Sequence, residues 1–255
     1  MKNFDYLTFG PHQLSRLKAL HLEGDFDSVI KLLQGQVTSD CAKLKHGEGQ
    51  PSALCDEKGY VLCNFDILLH NKLVLIAIED ELENIFVDEI KKFAPFYKVF
   101  INPYKLSFTG WIRKPHEALL PNEQLIIAAD NAHISLLPSS DRLDIEENIA
   151  EISLDSWSLN RKLLDDHIIQ RKDSGKFRPH ELMQHISRVS FSKGCFRGQE
   201  IIARMEYRGK QKNKTALVIH DSPEEIKKFE IVGQTITKNT KHFSSCMGKK
   251  EFFNS

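Results

Sequence analysis

"SFSKGCFRGQEIIARMEYRG" occupies residues 190–209 and packs a lysine, a cysteine and two glycines into six residues before an apolar, helix-compatible pattern begins. Val189 to Phe191 is short and β-like. Ile201, Ile202 and Met205 recur at helical spacing, and Gly209 stands where a C′ glycine belongs. The pattern predicts a strand, a glycine turn and a helix, with Cys195 just ahead of the helix N-terminus. Gly194 and Gly198 permit positive φ and let a ligand approach the backbone closely. Free N–H groups and the positive end of the helix dipole favour an anion there, and with Lys193 and Arg197 adjacent they also favour a thiolate. The same glycines serve equally well as a structural corner. His180 and His185 lie upstream, but no sequence feature brings either to the sulfur.

Around this corner the charge is uneven. From Lys193 to Lys214 there are seven basic residues (Lys193, Arg197, Arg204, Arg208, Lys210, Lys212, Lys214) and two acidic ones, Glu200 and Glu206. The formal net charge of the 255-residue chain is zero, so no whole-molecule field gathers nucleic acid or anionic lipid. An RNA-binding module is one reading of the local patch, although no aromatic RNA-recognition motif accompanies it. The five cysteines (Cys41, Cys55, Cys63, Cys195, Cys246) show no C-x-x-C spacing, which argues against a disulfide framework and against a metal site. No stretch approaches the roughly 18 uninterrupted apolar residues of a membrane span, and the start has no apolar leader pattern. A cytoplasmic location with reduced thiols is expected.

Farther out, residues 26–37 read as a helix capped by Asp27 or Ser28 and closed by Gly35. Residues 60–69 and 72–78 flank His70-Asn71 as a hairpin, and 81–93 carries Leu82, Ile85, Phe86, Ile90 and Phe93 on one helical face ahead of Pro95. "LSFTGWI" reads as a strand, and residues 124–137 as a second hairpin turning at Asp130-Asn131. The class is α+β, with 59–137 resembling a split β-α-β, ferredoxin-like unit. Residues 139–166 hold eight carboxylates (Asp141, Asp144, Glu146, Glu147, Glu151, Asp155, Asp165, Asp166) against Arg142, Arg161 and Lys162. They read as a solvated helical stretch, capped at Asp155 or Ser156, with Trp157, Leu163 and Leu164 as its apolar face. Trp157 is by this reading either core or a platform for a heteroaromatic ring. "RKDSGKFRP" at 171–179 reads as a basic loop.

"KGCFRGQEIIAR" at 193–204 resembles the K-G-C-[FY]-x-G-Q-E-x-x-A-R signature of the YgfZ family of folate-binding proteins. "LLQGQVTSD" (32–40), "CDEKGYVLCNFDILL" (55–69), "DEIKKFAPFYKV" (88–99), "SGKFRP" (174–179) and "VSF" (189–191) resemble the same family in order and spacing. The resemblance covers roughly residues 15–220. It implies the fold of the related T-protein, the aminomethyltransferase of glycine cleavage, with ferredoxin-like units in a ring around a hole that receives tetrahydrofolate or another reduced folate. It also implies a role in assembling or maintaining iron–sulfur enzymes, with an indirect effect on tRNA modification. The implied partners are folate, iron–sulfur machinery or client enzymes, and a weak tRNA contact.

By motif position the resemblance marks Lys193 and Cys195 as catalytic candidates, with Cys195 the functional thiol, and Gly194, Gly198, Gln199, Glu200 and Arg204 as folate-binding candidates beside Trp157 and Leu17. Trp157, by its distance before "SGKF", matches a folate-associated tryptophan of the family. A second such tryptophan would fall near Leu17, where no aromatic residue stands. The family's amide-bearing P-Q-x-x-N is here "PHELMQH", with His180 and His185 in place of the amides. The implied domains are residues 1–54 with 139–214, residues 55–138, and a shortened remnant of a C-terminal β-barrel at 215–255. After "TALVIHD" only 34 residues follow; one or two strands, 215–220 and 229–236, are expected, then a tail. An unclosed barrel leaves strand edges for self-association. An aminomethyltransferase is the alternative reading. It needs an acid where this chain has Cys63-Asn64, with Asp66 on the same strand face as Asn64.

Overall fold

The protein's structure is a computed structural model that describes residues 4–139, 149–209 and 211–253. Asp141, Asp144, Glu146 and Glu147 of the acidic stretch, and Lys210 of the basic run, lie outside the described residues. In chain order the strands are β1 (Gly10–Gln13), β2 (Leu17–Glu23), β3 (Gln50–Cys55), β4 (Val61–His70), β5 (Leu73–Glu79), β6 (Phe100–Tyr104), β7 (Ser107–Arg113), β8 (Gln124–Ala128), β9 (His133–Ser139), β10 (Asn213–His220), β11 (Glu230–Lys238) and β12 (Lys241–Lys249). The helices are α1 (Phe26–Gln36), α2 (Asp80–Ile90), α3 (Leu154–Leu163) and α4 (Gln199–Arg208). They frame three antiparallel sheets, ordered β3-β4-β5-β2-β6, β1-β7-β9-β8 and β10-β12-β11.

β4 is buried on both faces, as a central strand covered on each side must be. Cys63, Phe65 and Ile67 join the core beneath α1 and α2, while Leu68 joins a second core with Leu75, Ala77, Phe108, Ile134 and Trp157. The β4–β5 hairpin turns at Asn71-Lys72, one residue later than expected. Both sit at positive φ, 49° and 66°, the geometry whose twist matches flanking strands. α1 is capped by Asp25, whose Oδ2 accepts from the Ser28 N–H at 3.2 Å. Gly35 lies inside that helix rather than past its end, because the Val37 N–H still bonds to the Leu33 carbonyl. α2 ends at Ile90, and a 3-10 turn over Ala94–Tyr97 follows.

Four expectations are corrected. The strands of 59–137 do not share one sheet as a single ferredoxin-like unit: β4 and β5 pair into the first sheet with β2, while β7, β8 and β9 pair into the second with β1. α3 is not a solvated helix. It is capped by Ser153, and it buries Trp157, Leu159, Asn160, Lys162 and Leu163 because both the second core and the third sheet pack on it. Val189 to Phe191 is not a strand; the Ser190 N–H makes one bond, to the Thr38 carbonyl at 2.9 Å. The C-terminal residues are not a tail: Lys241–Lys249 is the central strand of the third sheet, paired with both β10 and β11. That sheet is not closed into a barrel. Among the described residues no helix is long and apolar enough to cross a membrane.

Candidate functional site

The glycine–cysteine corner is built by α4 and the turn ahead of it. Gly198 is the N-cap at φ +78°, and a Cβ there would stand 2.4 Å from the Asp56 carbonyl oxygen and within 3.2 Å of the Gly59 backbone. This glycine therefore lets two turns touch. Gly194 is not in the left-handed region, and a Cβ on it would meet open space. Cys195 is exposed, whereas the other four cysteines are buried. Burial pushes the Cys41 thiol up to about 11 and that of Cys246 to about 12. Lys193 points inward, its Nζ donating to the Val37 and Ser39 carbonyls at 2.7 Å each, and burial brings its ammonium down to about 8. Arg197 pairs with Glu57 at 2.8 Å and Glu89 at 2.7 Å. The two cations expected to serve Cys195 are thus committed to the fold. Gln199 and Glu200 open α4, and Arg204 projects from it exposed.

A cavity of about 150 Å³ lies elsewhere, walled by the β1–β2 connection, the end of β5, α3, residues 166–170 and the β11 bulge. Trp157 and Leu17 both line it, and none of residues 193–204 does. Gly110 on β7 lies under the indole: a Cβ there would stand 2.4 Å from Trp157 Cη2. Core residue and cavity wall are therefore the same side chain, 3% exposed. Arg16 lines the mouth, paired with Asp80 at 3.0 Å and Glu81 at 3.6 Å. Burial raises the Glu79 carboxyl above its ordinary range, with Arg161 and Arg16 opposing.

From the cavity wall, which Arg161 and Asp166 line, an ion chain runs inward. Arg161 Nε donates to Asp166 Oδ2 at 2.6 Å, while Arg188 Nη2 donates to Asp166 Oδ1 at 2.9 Å. Arg188 Nη1 donates to the Ser52 and Phe65 carbonyls at 3.1 and 3.0 Å and lies 3.3 Å from Asp66. Burial pushes Asp166 up, but the two guanidinium charges outweigh it and hold the carboxyl at about 2. Burial raises Asp66, with Arg188 offsetting part of that. Asp66, the acid a transferase would need, is thus spent on Arg188 and does not line the cavity. Asn64 bonds to Gln184 and to the Ile169 N–H. Where amides were expected, the His180 and His185 rings stack at 4.6 Å, and His180 Nε2 meets Glu206 Oε2 at 2.9 Å.

Sequence reasoning missed Arg16, Glu79, Arg161, Lys162, Asp166 and Arg188. The available signal was in α3: Arg161 and Lys162 lie one turn beyond Trp157, on a helix that had to bury a tryptophan. Nothing local marked Arg188, whose partners all come from distant elements. Of the seven basic residues at 193–214, Lys193 and Arg197 are withdrawn from any exposed patch.

The chain is 31% identical over 233 residues to the tRNA-modifying protein YgfZ of Colwellia psychrerythraea, a match covering 80% of this chain and 69% of the relative. It is 28% identical over 208 residues to the protein of the same name from Vibrio atlanticus, covering 75% and 64%. The chain thus spans 64 to 69% of the length of these curated relatives. No family model matches it. Among solved structures, the glycine cleavage system aminomethyltransferase T from Bartonella henselae superposes with a TM-score of 0.67 over 95% of this chain and 79% of that one. Their identity is 11%, so what they share is the fold.

Proposed function

The chain belongs to the YgfZ family, and from that membership we propose that it binds tetrahydrofolate or a related reduced folate in the cavity walled by Trp157. Through this ligand it supports iron–sulfur enzymes in the cytoplasm, and through them tRNA modification. The observation that carries the reading is the composition of the cavity. It presents an indole in a rigid bed, a half-buried carboxyl at Glu79 and cationic side chains at Arg16, Arg161 and Lys162. These residue types fit a folate: Trp157 offers a face to the pterin ring, Glu79 an acceptor for its N–H edge, and Arg16 a charge for the tail carboxylates. Leu17 supplies an apolar wall where a second ring would otherwise stand. A reduced folate, when bound, supplies a carrier for one-carbon units.

Cys195 is the functional thiol of this reading, exposed at a corner that Gly198 and Lys193 hold rigid. Lys193 and Gly198 act as positioning residues. Gln199, Glu200 and Arg204 line the exposed side of the same corner, where a client protein or RNA would meet it.

Titration of tetrahydrofolate into a Trp111→Phe protein, which leaves Trp157 as the sole indole, tests the ligand. Saturable quenching matched by a calorimetric isotherm is expected. Absence of saturation at high micromolar folate overturns the folate part. A Cys195→Ser protein that fully restores iron–sulfur enzyme activity in a deletion strain overturns the thiol part.

A further inference from the structure

Ser245 Oγ on β12 lies 2.8 Å from Lys162 Nζ and 2.9 Å from His167 Nδ1. The three side chains are buried, at 0, 7 and 1% exposure respectively. Lys162 also lines the cavity. Among the described residues the other cations of that wall have carboxylate partners, Arg16 with Asp80 and Arg161 with Asp166, while no ion pair includes Lys162. Asp173, whose charge reaches it, is taken by the Gln170 and Gly233 N–H groups.

We propose that Lys162 is an imine-forming amine that condenses with a small aldehyde entering the cavity. A buried lysine without a counterion favours its neutral, nucleophilic form, and burial brings its ammonium down to about 8. The serine supplies the proton path. A Lys162 N–H donates to Ser245 Oγ, and the Ser245 O–H donates to His167 Nδ1, which burial keeps unprotonated. One ammonium proton passes along this chain to His167, and Nζ attacks the carbonyl carbon. The C–N bond forms, the carbonyl oxygen leaves as water with the two remaining amine protons, and the proton held by His167 returns to the imine nitrogen. Nothing is oxidised or reduced. The reaction uses the cavity but not the folate, so failure of folate to bind leaves it standing.

Propionaldehyde with cyanoborohydride, applied briefly to the full chain at near-neutral pH, traps the imine as a stable secondary amine. Peptide mapping should show Lys162 modified roughly tenfold faster than exposed lysines such as Lys92, with a rate that levels off above about pH 8. Lys162→Arg keeps the charge and should lose the adduct. Ser245→Ala should slow modification of Lys162 and leave the surface lysines unchanged. Modification of Lys162 no faster than that of Lys92 in the unaltered protein overturns the proposal, whatever the variants do. An unchanged Lys162 rate in a folded Ser245→Ala protein overturns the relay.

Discussion

Asp166 satisfies two guanidinium groups with one carboxylate, and its removal takes the carboxylate from Arg161 and leaves Arg188 with Asp66 alone. Asp166→Asn should destabilise the fold by about 3–5 kcal/mol, the cost of breaking a buried pair from one side. Urea unfolding measures it, and a loss below about 1 kcal/mol would show the chain of charges to be dispensable. The pH dependence has a definite sign. The folded carboxyl titrates at about 2, below its unfolded value of about 4, so the stabilisation is complete above about pH 4 and drains away toward pH 2. Cys195 stands at the other extreme. Cys195→Ser should shift stability by less than about 0.5 kcal/mol in the same assay, as exposed positions do. The cysteine was legible as a turn residue beside a helix from its neighbours alone. The fate of its cations was not, because the carbonyls that hold Lys193 lie 156 and 154 positions away, and the acids that hold Arg197 lie 140 and 108 away.

At the scale of elements, α4 illustrates what periodicity can and cannot give. Its span from Gln199 to Arg208 follows from Ile201, Ile202 and Met205, and its start follows from the need for a glycine at φ +78°. Gly198→Ala places a methyl into the Asp56 carbonyl at a backbone angle that L-residues avoid. It should cost at least about 1–3 kcal/mol and show as a lowered thermal midpoint; an unchanged midpoint would mean that the two turns do not touch in solution. β12 resisted reading for the opposite reason. "KHFSSCMGK" lacks a β-branched run, and its buried hydroxyls are satisfied by other elements: Ser244 by His220 and Thr235, and Ser245 by Lys162 and His167. A strand whose polar groups are paired from outside looks in isolation like a tail.

Across the whole molecule, the strands and helices were largely visible in the sequence but their allocation to sheets was not. β1 and β2 each cross to a partner strand far along the chain, and local pattern is blind to that. The distribution of thiols has a global consequence. Cys41, Cys55, Cys63 and Cys246 are all raised by burial. Their stabilising contribution is therefore complete below the unfolded value of about 8.5 and is lost as pH rises beyond it. Lys162 and Lys193 act the other way, because the unfolded chain keeps their protons up to about pH 10. Four groups outweigh two, so unfolding free energy should fall by roughly 2–3 kcal/mol between about pH 9 and 10. Urea melts at pH 7.5, 9 and 10 check this; a flat or rising series would mean that the thiols ionise inside the folded protein.

The reach of Arg188 also sets a timetable for synthesis. Its guanidinium supplies the donors for the Ser52 and Phe65 carbonyls and the charge opposite Asp66, from 136, 123 and 122 positions downstream. At about 5–20 residues per second, the interval between Phe65 and Arg188 leaving the ribosome is roughly 6–25 s. For that interval the nascent β3–β4 pair carries a carboxylate without the guanidinium that faces it at what becomes its centre, so the first sheet stays wet and reversible until translation has delivered its keystone.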